Sequence, residues 1–119
     1  MEFRLDGLDD ALRNLRNVEQ SVKSDNLQED ALQAVEPIAE DARSLAPVGE
    51  GDLRNSIQPA IFEDGTVGVE IGDWKGHFFE FGTVKMRATP MLAPAFDANE
   101  SLVLDIFGGR VGARIEGAV

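Results

Sequence analysis

The sequence contains no cysteine, and that absence excludes several classes of site at once. Disulfide bonds, thiolate metal sites and cysteine nucleophiles all need a thiol. Histidine is nearly absent as well, because His77 is the only one in the chain. A lone histidine has no second imidazole with which to build a zinc site. We therefore expect no metal and no cofactor.

Basic residues are scarce: 11 lysines and arginines stand against 22 acidic residues, which gives a net charge of −11. The acidic residues are spread along the chain and form no tail. Proteins that neutralise phosphates need clustered lysine and arginine, and anionic membrane surfaces attract basic segments. The charge therefore argues against a grip on nucleic acid and against membrane binding.

Long apolar runs are missing too, since nothing approaches the roughly 20 residues that span a bilayer. The start of the chain has no cationic flank followed by an apolar stretch, so we expect no signal peptide and a product made in the cytoplasm. A chain of 119 residues with 43% hydrophobic residues is enough for one domain. We expect residues 1–119 to form that domain, with its core within about residues 2–107.

Periodicity indicates the secondary structure. Residues 2–5 alternate polar and apolar, as in a short strand, and Asp64-Gly65 is a strong hairpin signal before the alternating run from Val67 to Ile71. Apolar residues at helical spacing run from Leu8 to Val22, from Leu27 to Leu45 and from Leu92 to Phe107.

The order of these elements predicts an α+β domain, with a small, mainly antiparallel sheet packed against two to three amphipathic helices. Pro37 lies inside the second helical stripe and should kink it. Residues 108–119 keep some helical spacing but are rich in glycine, so we expect a frayed C-terminal tail.

The segment from His77 to Phe81 is dense in aromatic residues and has two interpretations. His77 and Glu80 are three residues apart and could place two ligands on one helical face. The alternative is that the aromatic rings belong to the core and that His77 and Glu80 lie at its edge. The chain contains no phosphate-binding loop and no nucleophile elbow, and we find no catalytic residues in it.

Two segments are candidate contacts with partners. Lys75, Lys85 and Arg87 flank the aromatic segment, on what is either a solvated loop or a docking loop. The stretch from Val48 to Asp52 is either a flexible connector or a segment that becomes ordered on assembly.

Taken together, residues 42–57 and 78–97 carry an ordered set of motifs. The motifs are Ala46-Pro47-Val48, Gly51, Leu53, Ser56-Ile57, Glu80-Phe81-Gly82-Thr83, Lys85-Met86, Pro90, Leu92 and Pro94-Ala95-Phe96. This combination resembles the neck, or head–tail joining, proteins of long-tailed bacteriophages, which are also described as tail completion proteins. The resemblance covers roughly residues 35–105. The sequence departs from the family pattern at Glu50, where threonine is usual, and at Met91, where phenylalanine is usual.

The resemblance implies a non-enzymatic structural protein of the virion that joins the head connector to the tail. It also implies a hexameric ring around the DNA channel, through which DNA passes without specific binding. The expected partners are further copies of the chain, the connector, and the tail-tube or terminator proteins. We assign the loops at 47–52 and 83–90 to contacts with neighbouring subunits or with the next ring. The candidate contact residues are Val48, Glu50, Asp52, Lys75, Val84, Lys85, Met86 and Arg87.

Two other functions stay open at this point. Within the same particle, the protein could be the tail terminator, a ring that stops polymerisation of the tail tube. From a different class, it could be a small acidic cytosolic protein that binds or inhibits a nucleic-acid enzyme. Such an inhibitor would present dense carboxylates on one face, whereas the acidic residues here are dispersed.

Overall fold

The computed structural model describes residues 1–18, 24–47 and 49–118. It confirms the predicted α+β class. In chain order the described elements are β1 (Glu2–Arg4), α1 (Asp6–Val18), α2 (Ser24–Ala34), α3 (Glu36–Leu45), α4 (Gly51–Asn55), β2 (Ile57–Ile61), β3 (Val67–Ile71), α5 (Gly76–Phe81) and α6 (Leu92–Ala118). The last part of the predicted first helix, with Val22, lies outside the described residues.

The three described strands form one antiparallel sheet in the order β1-β3-β2. The predicted hairpin is confirmed: β2 and β3 pair around the Asp64-Gly65 turn, and every apolar residue of β3 is buried. Gly68 in the central strand is required for the close approach of β1. A Cβ atom at this position would lie 1.8 Å from the carbonyl oxygen of Phe3.

The helical layer is built from α2, α3 and α6. Only Val35 separates α2 from α3, and Pro37 lies in the first turn of α3. The buried stripe continues across this break, as the sequence predicted for a kinked helix. Asn99 of α6 binds Asp41 of α3, while Arg110 further along α6 binds Asp30 of α2, so α6 runs antiparallel to the kinked pair.

The C-terminal segment differs from the prediction of a frayed tail. Helix α6 continues through both glycines of Gly108-Gly109 to Ala118. Two kinds of contact offset the poor helix propensity of glycine. Phe107 and Val111 are buried in the core, and Arg110 and Arg114 both form ion pairs with Asp30.

Candidate partner-binding site

Glu80 lies in the interior and connects α5 to the start of α6. Its side chain accepts hydrogen bonds from the backbone N–H groups of Met91 (2.9 Å), Leu92 (3.0 Å) and Ala93 (3.1 Å). The first N–H groups of a helix have no partner within the helix, and negative charge is favoured there. Glu80 is only 5% exposed, so the prediction that it lies at the edge of the core is wrong. Its carboxylate fastens α5 to the N-terminal end of α6.

Because Glu80 points inward, most aromatic side chains around α5 point outward. Trp74 is 73% exposed and Phe81 is 61% exposed, and Phe78 and His77 are exposed as well. Of the aromatic residues of α5, only Phe79 packs partly against the core. The prediction that these rings form the core is therefore wrong for the others. We call Trp74, His77, Phe78, Phe81 and the fully exposed Val84 the aromatic patch.

Ring contacts hold the aromatic patch in a fixed arrangement. Trp74 meets Phe78 edge to face at 5.7 Å between ring centroids, and His77 lies 5.2 Å from Phe81. The edge-to-face contact of Trp74 with Phe78 is a preferred geometry of aromatic pairs, and the rings of His77 and Phe81 are tilted by 57° to each other. Beside them is an open groove of about 380 Å³, lined by Trp74, Lys75, Phe78, Phe79, Thr83 and Met86. Contiguous exposed apolar surface of this kind typically marks an interaction site.

The loop after α5 is an ordered turn. Thr83 and Met86 exchange backbone hydrogen bonds of 2.9 and 3.3 Å, and the N–H of Thr89 donates to the carbonyl of Phe79 at 2.7 Å. Val84 and Lys85 therefore lie at the tip of a fixed turn. Lys85 and Arg87 are both exposed, and neither forms an ion pair within the described parts of the chain.

An ion pair links two of the predicted contact residues, Glu50 in the loop at 47–52 and Lys75 just before α5. Lys75 Nζ lies 2.8 Å from Glu50 Oε2 and 3.9 Å from Asp73 Oδ2. The hydrogen bond to Glu50 raises the pKa of Lys75, with support from Asp73, so this lysine stays charged. Asp52 is exposed in the first turn of α4 and joins no ion pair among the described residues, and Val48 lies outside them.

The predicted alternative of two ligands, His77 and Glu80, does not fit this geometry. Both carboxylate oxygens of Glu80 accept backbone N–H groups, and the ring of His77 packs against Phe81. Within the residues that the structure describes, there is no group of three or more possible metal ligands. None of the described helices is both long and apolar enough to cross a membrane.

Gly82 sets the reversal between α5 and the turn, and replacing it should disturb the site. Its φ of 76° with ψ of 178° is a conformation that only glycine adopts readily, and an added Cβ would lie 2.8 Å from the backbone nitrogen of Ala88. We expect Gly82→Ala to lower the free energy of unfolding by about 1–3 kcal/mol. Urea denaturation measures this, with Gly51→Ala as control because a Cβ there meets nothing within 4 Å. Equal stability of the two variants would contradict the strain at Gly82.

The comparisons with known proteins agree with the resemblance noted in the sequence. A family model described as "Bacteriophage HK97-gp10, putative tail-component" matches residues 9–82, which is more than half of the chain. No match is found among the curated proteins or among the solved structures. The matched region includes Glu80 and three members of the aromatic patch on α5, and it ends at Gly82, where the turn begins. The chain therefore belongs to the HK97-gp10-like family of bacteriophage tail components.

Proposed function

We propose that this protein is a non-enzymatic structural subunit of the phage neck, where it joins the head connector to the tail within a ring around the DNA channel. Membership of a tail-component family supports a structural role in the virion. The expected partners are further copies of the chain, the connector above, and the tail-tube or terminator proteins below.

The observation that carries this proposal is the aromatic patch on a rigid base. Trp74, Phe81 and Val84 are largely or fully exposed. The Glu80 hydrogen bonds and the Thr83–Met86 turn fix the backbone beneath the patch. Binding a partner therefore costs little conformational entropy in this part of the chain. Aromatic residues with a nearby arginine are typical of the energetic centre of a protein interface.

The charge of the chain suits the proposed place around DNA. A net charge of −11 makes a subunit repel phosphate, so DNA can slide through such a ring without being held. No enzymatic step is needed for this role, and the buried carboxylate Glu80 serves the backbone of α6.

Removal of the gene from the phage is the direct test. For a joining protein we expect full heads and tails of normal length that fail to attach to each other. For a terminator, the tails would be of irregular length, and this outcome would contradict the proposal. Recovery of the protein bound to a nucleic-acid enzyme, and never in virions, would favour the acidic inhibitor instead. A virion map should show the subunit between connector and tail.

A variant of the patch separates function from folding. We expect Phe81→Ser to lower incorporation into virions by about tenfold or more, because truncation of an interface centre commonly costs above about 1.4 kcal/mol. Its melting temperature should stay near that of the wild type, because Phe81 is 61% exposed. Leu45→Ser is the matched control, since Leu45 is also exposed but lies outside the patch. Wild-type incorporation of Phe81→Ser would show that the patch does not serve assembly.

A further inference from the structure

We propose that the aromatic patch binds the exposed acidic side of α6 in a neighbouring copy of the same chain. This inference rests on the proposed ring and names the surfaces by which one subunit would hold the next. It follows from two surfaces of opposite character on one molecule.

The first surface is apolar and locally basic. Val84 is fully exposed at the tip of the turn, and Lys85 and Arg87 next to it find no carboxylate among the described residues. This is notable in a chain with twice as many acidic as basic residues. Six other basic residues do form ion pairs, namely Arg4, Arg13, Arg43, Lys75, Arg110 and Arg114. The chemistry of this surface calls for a partner that offers apolar side chains together with carboxylates.

The second surface has the complementary chemistry. Between Asp97 and Asp105, all residues of α6 except Asn99 and Val103 are exposed. The exposed set contains three carboxylates and two leucines: Asp97, Glu100, Leu102, Leu104 and Asp105. No lysine or arginine occurs from Leu92 to Gly109, and none of these three carboxylates forms an ion pair within the described chain. At about 100° per residue, Asp97, Glu100, Leu104 and Asp105 fall within about 140° of the helix circumference, whereas Leu102 lies beyond Asp105 towards the opposite side. We call Asp97, Glu100, Leu104 and Asp105 the acidic face of α6.

A contact between these two surfaces has a defined symmetry. Each subunit carries both surfaces. Its aromatic patch binds the α6 of one neighbour, and its own α6 binds the aromatic patch of the other neighbour. Such head-to-tail contacts form rings when the rotation closes. Two copies that each carry a net charge of −11 repel each other overall. At the proposed contact, however, Lys85 and Arg87 of one copy face carboxylates of the other, so the local interaction is attractive.

Charge reversal with rescue tests the pairing in the purified full-length protein. We expect the double variant Lys85→Glu/Arg87→Glu to associate at least about tenfold more weakly than the wild type by sedimentation equilibrium, because like charges then face each other. Glu100→Lys/Asp105→Lys should be weakened similarly. A mixture of the two double variants should recover association, because opposite charges then meet again at the contact between them.

Control variants separate the pairing from the effect of net charge. Arg13→Glu and Glu63→Lys each change the net charge by two, half the change made by either double variant, at an exposed site remote in sequence from both surfaces. We expect their association to stay within about twofold of the wild type. Trp74 supplies a local measurement. As the only tryptophan, and 73% exposed, it should shift its emission to shorter wavelength with association in the wild type.

Three results would overturn the inference: a wild type that stays monomeric at about 1 mM, unchanged association after either charge reversal, or a mixture without recovery. Failure of the proposed function looks different. If Lys85→Glu/Arg87→Glu is lost from virions yet self-associates normally, the patch binds another virion protein, so the inference is wrong and the proposed function stands. If the pairing is confirmed but the protein is never found in virions, the proposed function is wrong.

Discussion

Glu80→Ala is expected to lower the free energy of unfolding by about 2–4 kcal/mol and to loosen the aromatic patch at the same time. The change removes the carboxylate that accepts hydrogen bonds from the N–H groups of Met91, Leu92 and Ala93, and Met91 and Leu92 are fully buried. Each buried donor left without a partner costs about 1–3 kcal/mol, and water entering the gap recovers part of the sum. Urea denaturation followed by circular dichroism measures the loss.

Two further variants sharpen this experiment. Glu80→Gln keeps one acceptor oxygen at the same distance from the backbone. We expect it to lower the free energy of unfolding by roughly half as much as Glu80→Ala, because charge-assisted hydrogen bonds are about twice as strong as neutral ones. Glu63→Ala removes an exposed carboxylate and should cost less than about 0.5 kcal/mol. If Glu80→Ala were as stable as Glu63→Ala, the hydrogen bonds between Glu80 and the backbone of α6 would not be what holds α5 against α6.

Glu80→Ala should also impair assembly, although Glu80 is buried inside the subunit. The N–H of Thr89 donates to the carbonyl of Phe79, so the turn with Val84 depends on where α5 lies. Amide hydrogen exchange of Thr89 reports this directly, and we expect it to be faster in Glu80→Ala. In Phe81→Ser, which truncates a largely exposed side chain and leaves the Glu80 hydrogen bonds in place, the exchange at Thr89 should be unchanged.

The sequence predicted those elements whose signals are local. The hairpin follows from Asp64-Gly65 and from the alternation of Val67, Val69 and Ile71, all of which lie within a few residues of each other. The helical stripes of α2 and α3 are equally local, and Pro37 lies where the helix bends. In these elements the apolar pattern and the backbone preference agree, and the structure confirms both.

The candidate site could not be predicted in the same way, because its organisation depends on pairs distant in sequence. The acceptor Glu80 and its donors are separated by 11 to 13 residues, and only the reversal at Gly82 brings them together. A run of aromatic residues normally indicates burial, whereas a buried glutamate is rare unless it is bonded. Here the glutamate takes the interior position, and Phe78 and Phe81 are left outside. The sequence did offer one signal for this site, which is that the basic residues Lys75, Lys85 and Arg87 flank the aromatic segment.

The end of α6 was mispredicted for a related reason. Gly108 and Gly109 lower the local helix propensity. A short stretch of sequence around them contains no other information about the helix end. The stabilising partner, Asp30, is 80 residues from Arg110 and 84 from Arg114. Asp30 is 1% exposed, and its two oxygens bind Arg110 Nε at 3.0 Å and Arg114 Nε at 2.6 Å. The hydrogen bond to Asp30 raises the pKa of Arg114 further above its usual value.

Asp30→Ala should therefore free the last part of α6. We expect a loss of about 3 kcal/mol in unfolding free energy, because removal of one partner from a buried ion pair typically costs about 3–5 kcal/mol and both arginines can regain some water. The two guanidinium groups, one turn apart, would also repel each other without the carboxylate between them. Hydrogen exchange of the amides from Gly108 to Glu116 should become at least about tenfold faster, while that of β3 changes only with global stability.

Glu29→Ala provides the control for Asp30, since Glu29 is an exposed neighbour that reaches Arg114 only at 3.6 Å. An exposed pair of this kind contributes less than about 1 kcal/mol, so exchange at the end of α6 should hardly change. If Asp30→Ala lost stability without faster exchange beyond Gly108, burial of Val111 and its neighbours would be holding the helix. If the exchange rises as expected, the helical order of residues 108–118 depends on one buried carboxylate of α2, which no helix-propensity argument for that segment could have shown.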